Sequence, residues 1–167
     1  MTDSRFSNLR LYLALYIRDG VPLHTETADR YHWALLAIPS HKTNTSTNTQ
    51  LQATRFHARD YFTESNQTHW IYEEVHVSSL GTPKLLAQTF IGDIVDEEGL
   101  LEVLRDVEIR QLKGWNCVDW VESAVEGIWE EGVVERGKYN GIEMLKETAL
   151  READVEAARR VGMKALL

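Results

Sequence analysis

One cysteine occurs among the 167 residues, Cys117, in the run GWNCVDW. A lone thiol is either a small core hydrophobe or a nucleophile, and its neighbours bear on which. Asn116 is among the best N-cap residues, and Val118, Val121, Ala124, Val125, Ile128 and Trp129 follow as one apolar stripe of helical period. Cys117 is therefore predicted at the first position of a helix, where unpaired N–H groups and the helix dipole favour a thiolate. A thiolate attacks carbonyl carbon readily, but it needs an imidazole to hold the ion pair and protonate the leaving group.

Six histidines could supply that imidazole. His24, His41 and His69 fall in or beside polar connections and His76 near a strand end, where histidines are ordinarily solvated. His32 differs, because Tyr31 and Trp33 flank it in the apolar run YHWALLAI, and a buried imidazole must find a hydrogen-bond partner. A cysteine at a helix start and a histidine on a central strand point to a Cys117–His32 dyad. Trp115, Asn116 and Trp33 are then the substrate-binding residues, with Trp115 lining the cleft. The competing reading makes Cys117 core filler and has His32 bonded to a backbone carbonyl.

Metal chemistry has less support. Glu73, Glu74 and His76 lie close in sequence, but alternation on a strand leaves only Glu74 and His76 on one face, and two ligands are too few for zinc. Cys-Cys ligand spacings are absent, and no metal or other cofactor is expected.

The elements that must position these groups follow from periodicity. Strands are predicted over 9–17, 31–38, 53–62 and 70–77 and within 84–94, the second covered on both sides and central in its sheet. The polar run TNTSTNTQ at 43–50 fits a hairpin connection. Helices are predicted over 97–108, from Cys117 to a stop at Gly132, and within 140–167, where Ile142, Leu145, Ala149 and Val155 form a broken stripe. The fold class is α+β: an antiparallel sheet of four to six strands with helices on one face. Residues 1–139 form the expected catalytic domain and 140–167 a C-terminal helical extension.

Composition narrows the partners. A net charge of −8 argues against a phosphate-tracking surface, so nucleic acid is not an expected partner. The run LYLALYI near the start is too short to cross a bilayer and lacks a cleavage site, and one cysteine cannot form an internal disulfide. The expectation is a cytoplasmic protein without a stable membrane anchor, acting on a small molecule or peptide; the sequence does not bear on oligomeric state.

Three runs carry a family likeness: YHWALL on a strand, FHARDYF on the next, and NCVDWV opening a helix. Together they resemble the circularly permuted papain-like enzymes, the group of lecithin:retinol acyltransferase-like, NlpC-like and PPPDE-like proteins, and small fungal proteins with a His-Trp strand and an Asn-Cys helix start. In the permuted members the histidine precedes the cysteine in the chain, as here. The resemblance implies Cys117 as nucleophile, His32 as base, and His57 as the polar residue that orients the imidazole. Asn116 and Trp120 match the flanking asparagine and aromatic. Acyltransferases of the group usually have Glu-His after the cysteine, whereas this chain has Val118-Asp119, which weakens phospholipid acyl transfer as the specific activity.

The resulting expectation is a cysteine-dependent hydrolase or acyltransferase acting on an amide, ester or thioester, with helix-start N–H groups receiving the oxyanion. Two alternatives stand beside it: a non-hydrolytic cyclase or isomerase in small-molecule biosynthesis, and a catalytically inactive binding module of the same fold.

Overall fold

A computed structural model describes residues 8–21, 26–40, 52–79 and 81–164. The polar run at 43–50 lies outside them, as do His24 and His41. Strands β1 (Leu9–Ile17), β2 (Tyr31–Pro39), β3 (Gln52–Phe62), β4 (Thr68–Ser78), β5 (Leu85–Ile94) and β6 (Val134–Arg136) form one antiparallel sheet in the order β4-β3-β2-β1-β5-β6. Helices α1 (Glu97–Asp106), α2 (Cys117–Glu131) and α3 (Ile142–Lys164) complete the predicted α+β class. Two elements were not foreseen: β6 and a single 3-10 turn at Ala28–Arg30, both three residues long and too short to show a period.

Strand alternation divides the core. Leu11, Leu13 and Leu15 of β1, Tyr31, Trp33, Leu35 and Ala37 of β2, and Phe56 and Ala58 of β3 belong to the main cluster, together with the buried faces of all three helices. The intervening residues Ala14, Tyr16, Ala34 and Leu36 form a second, smaller cluster on the opposite face. The helices therefore cover one side of the sheet.

The start of α2 is built as its sequence requires. The Asn116 side chain accepts from the Val118 N–H at 2.8 Å, and the Asp119 carboxylate accepts from the Asn116 N–H at 2.8 Å. Its end is set by Gly132, whose φ of 67° suits a residue without Cβ.

The C-terminal helix packs its buried face into the same core as the strands and α2. Leu145, Ala149, Ala153 and Ala157, spaced four apart, are its buried face, whereas Val155 of the expected stripe is 66% exposed. Small side chains let α3 lie close to β5 and β1. Polar contacts fix its register: Asp154 accepts from Arg30 at 2.7 Å and from the Tyr31 hydroxyl at 2.6 Å, and Glu152 accepts from the buried Thr89 hydroxyl at 2.6 Å. Among the described residues no helix is long and apolar enough to cross a membrane.

Candidate functional site

The structure does not bring Cys117 and His32 together. β2 turns Trp33 and Leu35 toward the helices, into the cluster that holds Cys117. His32, two residues before Ala34, faces the other side, where its ring lies 6.3 Å from that of Tyr16. Cys117 is 0% exposed. Burial outweighs a hydrogen bond from the backbone of Trp33 and pushes its pKa up to about 11, so the thiol form holds near neutrality. Dipole and cap are both in place at the helix start, but desolvation beneath the sheet is the larger effect.

Of the expected substrate-binding residues, Trp33 and Asn116 have structural roles, while Trp115 lines a cleft beside α1 and α2 whose lining does not include His32. Trp33 is fully buried and its indole N–H donates to the Ala28 carbonyl at 2.9 Å. Trp115 is half-buried on the helix side, edge-on to Trp70 at 5.6 Å. Asn116 is spent on its cap.

His57 does meet His32. β2 and β3 are laddered at Leu35, Leu36 and Ala37 and at no other pair among the described residues. Toward the Tyr31 end of β2, His32 Nε2 lies 2.6 Å from His57 Nδ1. On the far side of β3, Glu73 is the direct register partner of His57, and its Oε2 lies 3.1 Å from His57 Nε2. Glu73 also takes Arg59 at 3.1 Å. Burial raises the Glu73 pKa, but the hydrogen bonds from Arg59 and His57 prevail and hold it below the usual carboxylate range.

The carboxylate fixes the tautomers. It can only accept, so His57 carries its proton on Nε2 and presents a lone pair at Nδ1. His32 must then donate from Nε2, which leaves Nδ1 of His32 as the free base. Both rings are neutral near pH 7: burial first, then charge from His57, Arg55 and Arg18, lowers His32 to about 3, and burial first, then Arg55, lowers His57 to about 4 against the pull of Glu73.

The two rings line a cleft of about 480 Å³ on the face away from the helices. Tyr16, Arg55, Asp60 and Phe62 share its wall. Arg55 sits over the Tyr16 ring, 5.4 Å from its centroid, and burial raises the Tyr16 pKa further than Arg55 lowers it.

Sequence reasoning missed Glu73, Tyr16 and Arg55 as members of this site. Alternation separates Glu73 from Glu74 and His76, but only the β3–β4 register places it opposite His57. Among the described residues no group of three or more His, Cys, Asp or Glu side chains is placed to hold a metal ion.

No curated protein and no solved structure matches the chain. A family model does match, over residues 8–159, from the residue before β1 far into α3. The relay, its cleft and the helices behind the sheet all fall within that span, and the chain belongs to the Family of unknown function (DUF6914).

Proposed function

We propose that the chain is a cytoplasmic, non-hydrolytic small-molecule enzyme, an isomerase or cyclase, that moves a proton through His32, His57 and Glu73. One observation carries this reading: the hydrogen-bonded chain from His32 through His57 to a carboxylate, opening on a cleft. In the forward step His32 Nδ1 takes a proton from substrate, His32 Nε2–H passes to His57 Nδ1, and His57 Nε2–H passes to Glu73. The substrate's bonding pair stays behind, and a return of the proton at a second atom completes an isomerisation. A base with a pKa of about 3 is weak alone and Glu73 is itself held below the usual carboxylate range, so the relay holds the proton only in transit before its return to substrate. The buried cysteine supports a mechanism without an acyl-enzyme, and one unpaired thiol is compatible with a reducing compartment.

The test is proton exchange. A panel of small ketones, keto acids and lactones is incubated with the full chain in D2O, and deuterium incorporation at activated carbons is followed by NMR. Enzyme-dependent exchange lost in both His32→Gln and Glu73→Gln supports the relay; exchange that survives His32→Gln sinks it.

The lowered His32 pKa also favours a second reading, a binding module in which the neutral imidazole pair accepts and donates hydrogen bonds without turnover. Ligands from the same panel that bind without exchange select that reading.

A further inference from the structure

We infer that the cleft is a carboxylate-binding site, with Arg55 as the cation that receives the ligand's anionic group. The inference rests on the small-molecule reading of the His32 cleft but not on turnover there.

Four cations line the cleft, and their partners separate them. Arg18 reaches Asp60 at 3.3 Å and Asp29 at 3.8 Å, Arg59 reaches Glu73 at 3.1 Å, and Lys84 reaches Asp19 at 2.5 Å. Arg55 has no carboxylate partner among the described residues, and its Nε is buried without a hydrogen bond. Arg55 lies over the Tyr16 ring and also hydrogen-bonds the Tyr16 side chain, and the remaining N–H donors of its planar guanidinium have the fork geometry that matches a carboxylate. One uncompensated positive charge suits a monoanion better than a phosphate dianion, which needs more cations than the cleft has free.

Arg55 also faces the relay, and this gives the site a signature. Its charge depresses His32 together with Arg18, and depresses His57 together with Arg59, while Glu73 opposes the effect. A carboxylate seated on Arg55 offsets that charge. Occupancy should therefore raise the titration midpoints of both imidazoles, and proton uptake should accompany binding in weakly acidic buffer.

The experiment uses the full chain with benzoate, pyruvate and inorganic phosphate as probes at low ionic strength, read by NMR shifts of the histidine ring carbons. The expected result is saturable carboxylate binding with upward movement of the His32 and His57 midpoints, about tenfold or more weaker in Arg55→Gln and only partly recovered in Arg55→Lys, which keeps the charge but not the fork. Any of three results overturns the inference: no saturable binding of either carboxylate, equal affinity in wild type and Arg55→Gln, or phosphate binding more tightly than both. Failure of the relay is separable, because His32→Gln then leaves exchange unaltered while carboxylate binding still depends on Arg55.

Discussion

His32 and Cys117 stand on opposite sides of the sheet, although the residue next to His32 packs around the cysteine. Trp33, next to His32, packs in the cluster around Cys117, and its backbone donates to the sulfur. The thiol thus satisfies a backbone group near the point where the β2–β3 ladder stops, and it does so as a neutral acceptor.

Cys117 is accordingly expected to be inert in the folded chain. Iodoacetamide near neutral pH should leave it unmodified by intact-mass analysis and label it fully once denaturant is added, since the sulfur is inaccessible and protonated. Cys117→Ala should cost about 1 kcal/mol of stability and leave ligand binding at the open face unchanged. Fast labelling of native protein, first order in reagent, contradicts the burial.

The residue before it has a structural role that can be measured separately. Asn116→Ala removes the acceptor for the Val118 N–H, and a loss of about 1 kcal/mol is expected in a urea titration. Asn116→Asp retains an acceptor and should recover most of that loss. Equal stability of all three chains means that the cap contributes nothing.

How far the site could be read from sequence depended on the kind of pattern available. β1 and α2 each have an apolar period that contrasts with polar neighbours, and both begin where predicted. YHWALLAI is apolar at odd and even positions alike, so alternation divides Tyr31, Trp33 and Leu35 from His32, Ala34 and Leu36 without saying which set meets the helices. The larger set fills the main core, and His32 goes with the smaller one. The contact between His32 and His57 was anticipated only through the family likeness, because β3 alone places His57 beside Arg55 and Arg59 as if in water. Its 3% exposure results from a neighbouring strand. Glu73 and Arg55 acquire their roles from register and from the partners of surrounding charges, neither of which is local in sequence.

The C-terminal helix is predicted to be indispensable. Deleting 142–164 uncovers the core residues beneath Leu145, Ala149 and Ala153 and strands the Thr89 hydroxyl that Glu152 receives, so the truncated chain should lose its cooperative thermal transition. Leu145→Ala is the milder probe, expected to cost about 2–5 kcal/mol with the fold retained. A deletion variant that melts as sharply as the full chain refutes the shared core.

The imidazole pair should show itself in the pH dependence of stability. His32 and His57 have folded pKa values of about 3 and about 4, below the ordinary 6.5 that they regain on unfolding. Between those limits the unfolded chain holds more protons than the folded one, so unfolding becomes easier as pH falls. Their contribution is complete above pH 6.5 and is lost progressively as pH falls toward the folded values. Glu73 and Asp154 have lowered pKa values too, but ordinary carboxylates titrate near 4.5 and 3.8, so their stability is lost at lower pH. The interval from 6.5 down to 4.5 therefore isolates the histidines, with a slope of up to about 1.4 kcal/mol per pH unit for each proton. Urea titrations across that interval should show falling stability in the wild type and a flatter profile in a His32→Gln, His57→Gln double variant. Ring-carbon NMR should also find both residues still neutral at pH 5.5, about one unit below the ordinary histidine value. Equal slopes in the two chains, or His57 titrating near 6.5, show that the pair is solvated and that the relay is not formed.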